Sequence, residues 1–374
     1  MAGIYLHIPF CKQACNYCDF HFSTSLKYKD RLVDAMLHEL RTQVAYIEGQ
    51  TVETIYIGGG TPSLLSEKEL DLIFNAIYSN YTITSKPEIT LEANPDDLNL
   101  SKIKELGHSP INRLSIGVQS FFDRDLQFMN RAHSSYEAER AICSAQDVGI
   151  ENISIDLIYG IPGLTHHDWK ENLRKAFALD VPHLSSYALT VEKKTALEHA
   201  IRNGKVQALD DVQAAEQFEI LLAETKANDY EQYELSNFCK DKKYSKHNSS
   251  YWTSENYLGI GPSAHSFNGY SRRWNVSSNG QYMKTISSGV DSFEEEVIGD
   301  NEQYNEYIMT GLRTIWGCDL KKVQAIGEKY FNHLLKESES YIEEGKLVID
   351  SDIIRATDKG KFLLDKISSD LFYS

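Results

Sequence analysis

What the chain has little of removes several classes of function. No apolar run approaches the roughly 18 residues of a membrane-crossing helix, so no transmembrane segment is expected. No basic, apolar leader precedes the first apolar run, Ile4-Tyr5-Leu6-His7-Ile8. The expected compartment is therefore the cytoplasm, with peripheral attachment at the inner membrane face left open. Basic residues are the minority, 38 Lys and Arg against 54 Asp and Glu, for a formal net charge of −16. That balance argues against broad phosphate-backbone binding, and no nucleic-acid partner is expected. The one dense basic stretch, Lys240, Lys242, Lys243 and Lys246, reads as a solvated loop. Low-complexity segments are absent, and cysteines number only 6. In a reducing compartment these are not read as disulfides.

Three of the six cluster. Cys11, Cys15 and Cys18 stand at C-x3-C-x2-C spacing on a loop leaving the first predicted strand. Thiolates are soft ligands suited to iron–sulfur clusters and zinc. A zinc site needs a fourth ligand; His7 and His21 keep that alternative open. A cubane cluster has four irons, so three thiolates leave one iron to a non-protein ligand. Cys143, Cys239 and Cys318 are scattered and read as ordinary small side chains.

After the loop, strand and helix patterns alternate. Strands are predicted at 51–57, 88–92, 113–118, 152–159 and 183–189. Helices are predicted at 28–46, 66–78, 101–106, 122–130, 136–148, 165–178 and 210–228. The helix after Ser66 starts with a capping box completed by Glu69. Six strand–helix units imply an α/β parallel sheet with helices outside it. The repeat is lost near Lys240. From Asn301 helices at 302–314, 321–325 and 328–344, a hairpin at 346–356 and a closing helix at 359–371 suggest a small winged-helix-like α+β domain. The expected division is 1–240, a connecting segment 241–300, and 301–374.

The loop of a βα unit at the C-terminal end of its strand is where such folds build function. Gly58-Gly59-Gly60-Thr61-Pro62 follows the second strand there, and successive glycines let a ligand approach the backbone. Glu92, Gln119 and Asp156 end the third, fourth and fifth strands, lining a mouth suited to a polar ligand. Arg131 offers a carboxylate partner or, equally, an ordinary helix salt bridge.

Cys11, Cys15 and Cys18 with Gly59-Gly60-Thr61 resemble the radical S-adenosylmethionine (SAM) superfamily. The resemblance implies a partial (β/α)6 TIM-type barrel. It also implies a [4Fe–4S] cluster on the three cysteines and SAM at the open iron. Tyr5-Leu6-His7-Ile8-Pro9-Phe10-Cys11, Ile116-Gly117-Val118-Gln119-Ser120-Phe121 and Asp156-Leu157-Ile158-Tyr159-Gly160-Ile161-Pro162-Gly163 resemble the oxygen-independent coproporphyrinogen III oxidase subgroup. So does the C-terminal stretch around Gly311-Leu312-Arg313. By that likeness Tyr5, Tyr17, Gly59, Gly60, Thr61, Glu92, Gln119, Arg131 and Asp156 line the SAM pocket, with Ala188 as an addition.

Two departures separate the chain from the oxidase. Phe20 stands where the oxidase pattern has a further cysteine, and almost no chain precedes Tyr5. Both resemble the heme chaperone family HemW, as does His247-Asn248-Ser249-Ser250-Tyr251-Trp252, which matches its H-N-x-x-Y-W motif. That likeness implies heme as a third ligand, with contact at His247, and heme-accepting proteins, including membrane respiratory enzymes, as partners. A homodimer is left open. His265 competes with His247, and a hydrogen-bonded loop histidine is the plain alternative for either. The rival functions are coproporphyrinogen III oxidase and a radical-SAM RNA-modifying enzyme.

Overall fold

The computed structural model describes residues 2–47, 49–290 and 293–374. The first half alternates as its pattern predicts. It runs β1 (Ala2–Ile8), α1 (Lys29–Thr42), β2 (Val52–Gly59), α2 (Glu67–Asn80), β3 (Ile83–Ala93), α3 (Leu100–Gly107) and β4 (Arg113–Gln119). Then come α4 (Asp123–Phe128), α5 (Ser135–Asp147), β5 (Ile153–Tyr159), α6 (His166–Ala178) and β6 (His183–Ala188). The Ser66 capping box is formed in both directions, and Ser134 with Glu137 makes a second one at α5.

β1 to β6 pair in parallel, each with the next. Parallel strands covered on both faces usually read as continuous apolar runs. Here apolar and polar residues alternate instead. Ile4, Leu6, Ile8, Ile55, Ile57, Ile89, Leu91, Leu114, Ile116, Ile153, Ile155 and Leu157 are fully buried in the main core. The residues between them sit level in the register: Gly3 with Thr54, Tyr5 with Tyr56, Thr54 with Glu88, Thr90 with Arg113, Glu92 with Ser115, Asp156 with Ser185. Because side chains alternate across a strand, these form one polar inner face.

After β6 come α7 (Ala196–Arg202), α8 (Asp211–Ala227), β7 (Glu231–Gln232), β8 (Asn237–Cys239), α9 (Lys246–Trp252), β9 (Asn256–Ile260), β10 (His265–Phe267), β11 (Ser271–Asn275), α10 (Asn279–Ser287) and β12 (Phe293–Val297). The strand order is β12-β11-β10-β9-β1-β2-β3-β4-β5-β6-β8-β7, an open sheet rather than a closed barrel. The stretch from Asn256, expected as a connection, therefore extends the sheet: β9 lies parallel to β1, and β10 to β12 continue antiparallel. Its glycines hid the strands. A Cβ on Gly259 would lie 1.9 Å from the His265 carbonyl oxygen, so glycine there lets β10 fold tightly onto β9.

The last part runs α11 (Asp300–Gly311), β13 (Cys318–Asp319), α12 (Leu320–Ile326), α13 (Glu328–Glu343), β14 (Leu347–Asp350), β15 (Ile353–Ala356), α14 (Asp358–Lys361) and α15 (Leu364–Asp370). A three-stranded antiparallel sheet, β13-β15-β14, packs with these helices around its own core of Tyr304, Ile308, Leu312, Val323, Leu334 and Ile354. Among the described residues no helix is long and apolar enough to cross a membrane.

Glu39 of α1 ties the added strands to the barrel. Its buried carboxylate accepts hydrogen bonds from Tyr282 Oη, Gly261 N and Asn275 Nδ2. Burial outweighs these donors and pushes its pKa from 4.5 up to about 7. The folded state therefore holds a proton that the unfolded chain releases above its own lower pKa. That contribution to stability is complete below about pH 4.5 and is lost as pH rises towards 7, by about 3 kcal/mol. Denaturant midpoints of the wild type and Glu39→Gln across pH 4.5–7.5 check this: the variant is expected to lack that component of the decline.

Candidate cluster and cofactor site

The three cysteines lie on the loop between β1 and α1, half-buried and free of disulfides. The loop is closed at its base by Cys11 N to Ser23 O at 3.1 Å and Ser23 N to Pro9 O at 2.8 Å. Its crown is held from across the mouth. Asn16 Nδ2 donates to Phe128 O at 2.8 Å, Gln13 Nε2 to Asn130 O at 2.9 Å, and Asn130 Nδ2 to Ala14 O at 2.7 Å. Asn130 takes a left-handed backbone, φ 56°, to make this turn. Lys12 pairs with Asp96 and Asp97 beyond β3. Burial pushes the Cys11 and Cys18 thiols up, Cys18 to about 11. Arg131 Nη1 lies 3.3 Å from Cys15 Sγ, and its Nη2 donates to Asn94 Oδ1 and Gly117 O. Desolvation works against that guanidinium, but Tyr17 and Cys15 beside it favour its charge and win. A cation here suits thiolates.

The glycine run closes over the same loop. Gly60 N donates to Ile8 O, and a Cβ on Gly60 would meet Phe10 backbone atoms at 2.6 Å and Cys11 Sγ at 3.0 Å. Gly59 has φ +113°, and its Cβ would fall 2.8 Å from the His7 ring. Thr61 is buried and accepts from Asn94 Nδ2 at 3.1 Å. Glu92 accepts from Tyr56 Oη at 2.7 Å and Gly59 N at 3.0 Å, and burial raises its pKa. Asp156 is pushed up to about 7, first by burial and then by Glu92. Gln119 holds φ 68°, a left-handed backbone rare outside glycine, which turns the end of β4 into the mouth. Tyr5 Oη donates to His7 Nδ1 at 3.0 Å; the other His7 nitrogen faces the His21 carbonyl and must carry the proton.

Cys11, Cys15, Cys18, Tyr17, Gly59, Gly60, Thr61, Glu92, Gln119, Arg131 and Asp156 thus gather at one end of the strands, while Tyr5 lies mid-β1 beneath them, bonded to His7 and stacked at 6.3 Å on the His247 ring. Ala188 reaches the top of β6 but alternates away from the inner face, packing on the core, so only its backbone can meet the mouth. Tyr187, one residue earlier, is the inward one, and strand alternation from Asp156 would have found it. Sequence reasoning also passed over Asn94, which links Thr61 to Arg131, and Arg113. Arg113 is 1 % exposed on the inner face, and no guanidinium nitrogen of it has a hydrogen-bond partner among the described residues. Its charge draws down Glu92 and Asp156 against their desolvation.

His247 lies elsewhere. It is fully buried at the base of the inner face. Nδ1 pairs with Thr54 Oγ1 and Nε2 with Tyr251 Oη, both at 2.8 Å. The ring stacks on Tyr56 at 5.1 Å, and burial with the nearby Arg113 charge lowers its pKa to about 3. With both nitrogens engaged it offers iron no free ligand in this conformation. His265 is exposed on β10, away from both sets.

Among the described residues, no three His, Cys, Asp or Glu side chains converge on one metal ion. A cubane asks for something different, with each thiolate on its own iron. Free thiols, a cation beside them and a glycine backbone pressed against Cys11 fit that demand.

The radical SAM superfamily model matches residues 5–176, and the HemN C-terminal domain model matches 299–363. The heme chaperone HemW of Bacillus subtilis (strain 168) is 34% identical over 98% of this chain and 98% of its own length. This chain belongs to the HemW family. HemW of Mycobacterium tuberculosis (strain H37Rv) is 32% identical over 98% of this chain and 93% of its own. Mouse radical S-adenosyl methionine domain-containing protein 1, mitochondrial, is 31% identical over 98% and 86%. The fold matches coproporphyrinogen III oxidase (HemN) from Escherichia coli with TM-score 0.87 and 21% identity, over 99% of this chain and 90% of that one. As a radical SAM family, HemW implies a [4Fe–4S] cluster and SAM.

Gly59→Ala forces a left-handed alanine against the His7 ring and is expected to cost about 1–3 kcal/mol. Gly280→Ala, where a Cβ in α10 meets nothing within 4 Å, is expected to be neutral or stabilising. Denaturant midpoints of the two variants make the comparison.

Proposed function

We propose that this chain is a heme chaperone: it binds heme, a [4Fe–4S] cluster and SAM, and passes heme to acceptor proteins, respiratory enzymes among them. Near full-length likeness to proteins named heme chaperone carries the reading. Phe20 supports it locally, since it stands 71 % exposed on the cysteine loop where the oxidase pattern has another thiol.

In this reading Cys11, Cys15 and Cys18 ligate three irons and Arg131 steadies the thiolate of Cys15. Gly59, Gly60 and Thr61 would present backbone to SAM, which would supply a cleavable sulfonium beside the cluster. Glu92 and Asp156 accept hydrogen bonds from its polar groups, Gln119 and Tyr17 border it, and Tyr5 holds the floor beside His7. The H-N-x-x-Y-W helix α9 serves heme. Coordination by His247 requires it to exchange its Thr54 or Tyr251 partner for iron.

The tests separate these roles. Alanine at Cys11, Cys15 and Cys18 together is expected to abolish the four-iron absorbance and the iron and sulfide content after anaerobic reconstitution. The reconstituted wild type is expected to give a Soret shift on heme titration and to load an apo-cytochrome, without converting coproporphyrinogen III. Turnover to protoporphyrinogen IX would return the chain to the oxidase reading, and unchanged heme binding by His247→Ala would remove that residue from the site.

A further inference from the structure

A cavity of about 220 Å³ opens at the opposite end of the strands from the cysteines. Ala2 and Gly3 of β1 and Glu53 and Thr54 of β2 form its floor. One wall is α9, through Lys246, Ser249, Ser250 and Thr253; Tyr244 and Trp316 provide the aromatic surface. These two rings meet edge to face at 5.7 Å. Trp316 lies just before β13, so the cavity is shared between the barrel and the C-terminal part. Nothing in the radical SAM site uses it.

Several of its groups are unengaged. Ser249 Oγ is buried with no hydrogen-bond partner, and Lys246 at the rim has no ion-pair partner, both among the described residues. The Thr54 hydroxyl of the floor holds His247 Nδ1 at 2.8 Å, and a Cβ on Gly3 would touch both that hydroxyl and the imidazole. The His247 ring is therefore one side chain's thickness behind the cavity.

We propose that this cavity seats one edge of heme, with Trp316 and Tyr244 against the macrocycle and Lys246 on a propionate. The proposal rests on the heme-chaperone reading and adds the place. Its size supports a partial seat: pockets that enclose a whole drug-sized ligand run to about 300–1,000 Å³, so the rest of the macrocycle stays outside, reachable by an acceptor. Amphipathic aromatics suit a flat apolar ring with a wet edge. Glu53 and Glu255 also line the cavity and repel carboxylates, leaving Lys246 as the propionate side. Heme bound here is separated from the cysteine loop by the length of β1, about 20 Å at the strand rise, so it does not compete with SAM.

Heme titration of the anaerobically reconstituted full chain, followed at the Soret band, tests this with Thr253→Trp, Trp316→Ala and Lys246→Glu. Thr253 is exposed and its hydroxyl bonds only to its own helix, so the tryptophan fills the cavity without disturbing the fold. Thr253→Trp and Trp316→Ala are expected to raise the heme dissociation constant at least tenfold and Lys246→Glu several-fold, with iron content and SAM binding unchanged. Saturating SAM is expected to leave heme bound. If Thr253→Trp binds heme as the wild type does, or SAM displaces heme, the cavity is not the seat although the chaperone reading survives. No Soret shift in the wild type overturns both.

Discussion

A charge without hydrogen-bond partners among the described residues lies at the centre of this barrel, and the polar inner face is arranged around it. Burying a guanidinium is costly unless opposite charges accompany it. Arg113 has Glu92 and Asp156 above it on the same face, and the two carboxylates in turn are drawn towards ionisation by its field. The same field helps keep neutral both His247, at the base, and His183, level with Ser154 across the sheet. One cation therefore acts in opposite senses on its neighbours: it favours charge on the two carboxylates, against a larger desolvation that raises both, and it adds to the desolvation that keeps the imidazoles uncharged. An apolar barrel core would be easier to stabilise and would present nothing to a ligand at either end.

A column of rings joins those ends. Tyr56 donates to Glu92, stacks on Tyr5 at 6.1 Å and lies on the His247 ring at 5.1 Å. Tyr5 donates in turn to His7, whose ring lies under Gly59. Packed contacts of this kind leave little room for independent adjustment. The cysteine loop and the H-N-x-x-Y-W helix thus share a floor rather than standing as separate modules.

The first half of the fold was legible because many of its units carried their own punctuation. β2, β4 and β5 close on or just before a glycine or a polar residue, and α2, α5 and α6 start with a serine or threonine cap. The mouth was legible for the same reason, since Glu92, Gln119 and Asp156 each close an apolar run. Register is not legible from strand ends. It turns Tyr187 inward beside Ala188, whose backbone reaches the mouth, and it puts Arg113 on the inner face although that residue opens its strand. The glycines of 257–269 read as a connection, yet Gly259 owes its identity to the carbonyl packed against it. His247 shows a different limit: motif likeness singled it out, but its engagement by Thr54 and Tyr251 depends on segments nearly two hundred residues away in one case and one helical turn in the other.

The cysteine loop has little internal structure; most of its crown is held by partners that come later in the chain. Gln13 and Asn16 bind residues 128 to 130, and the Asn16 carbonyl is capped by the Leu197 amide. A chain emerging from the ribosome presents its three thiols long before those partners exist. The full set of contacts that shapes the loop's crown is complete only once the sixth strand and the start of α7 have been made, so the most local-looking motif of the chain is held by some of its most distant hydrogen bonds.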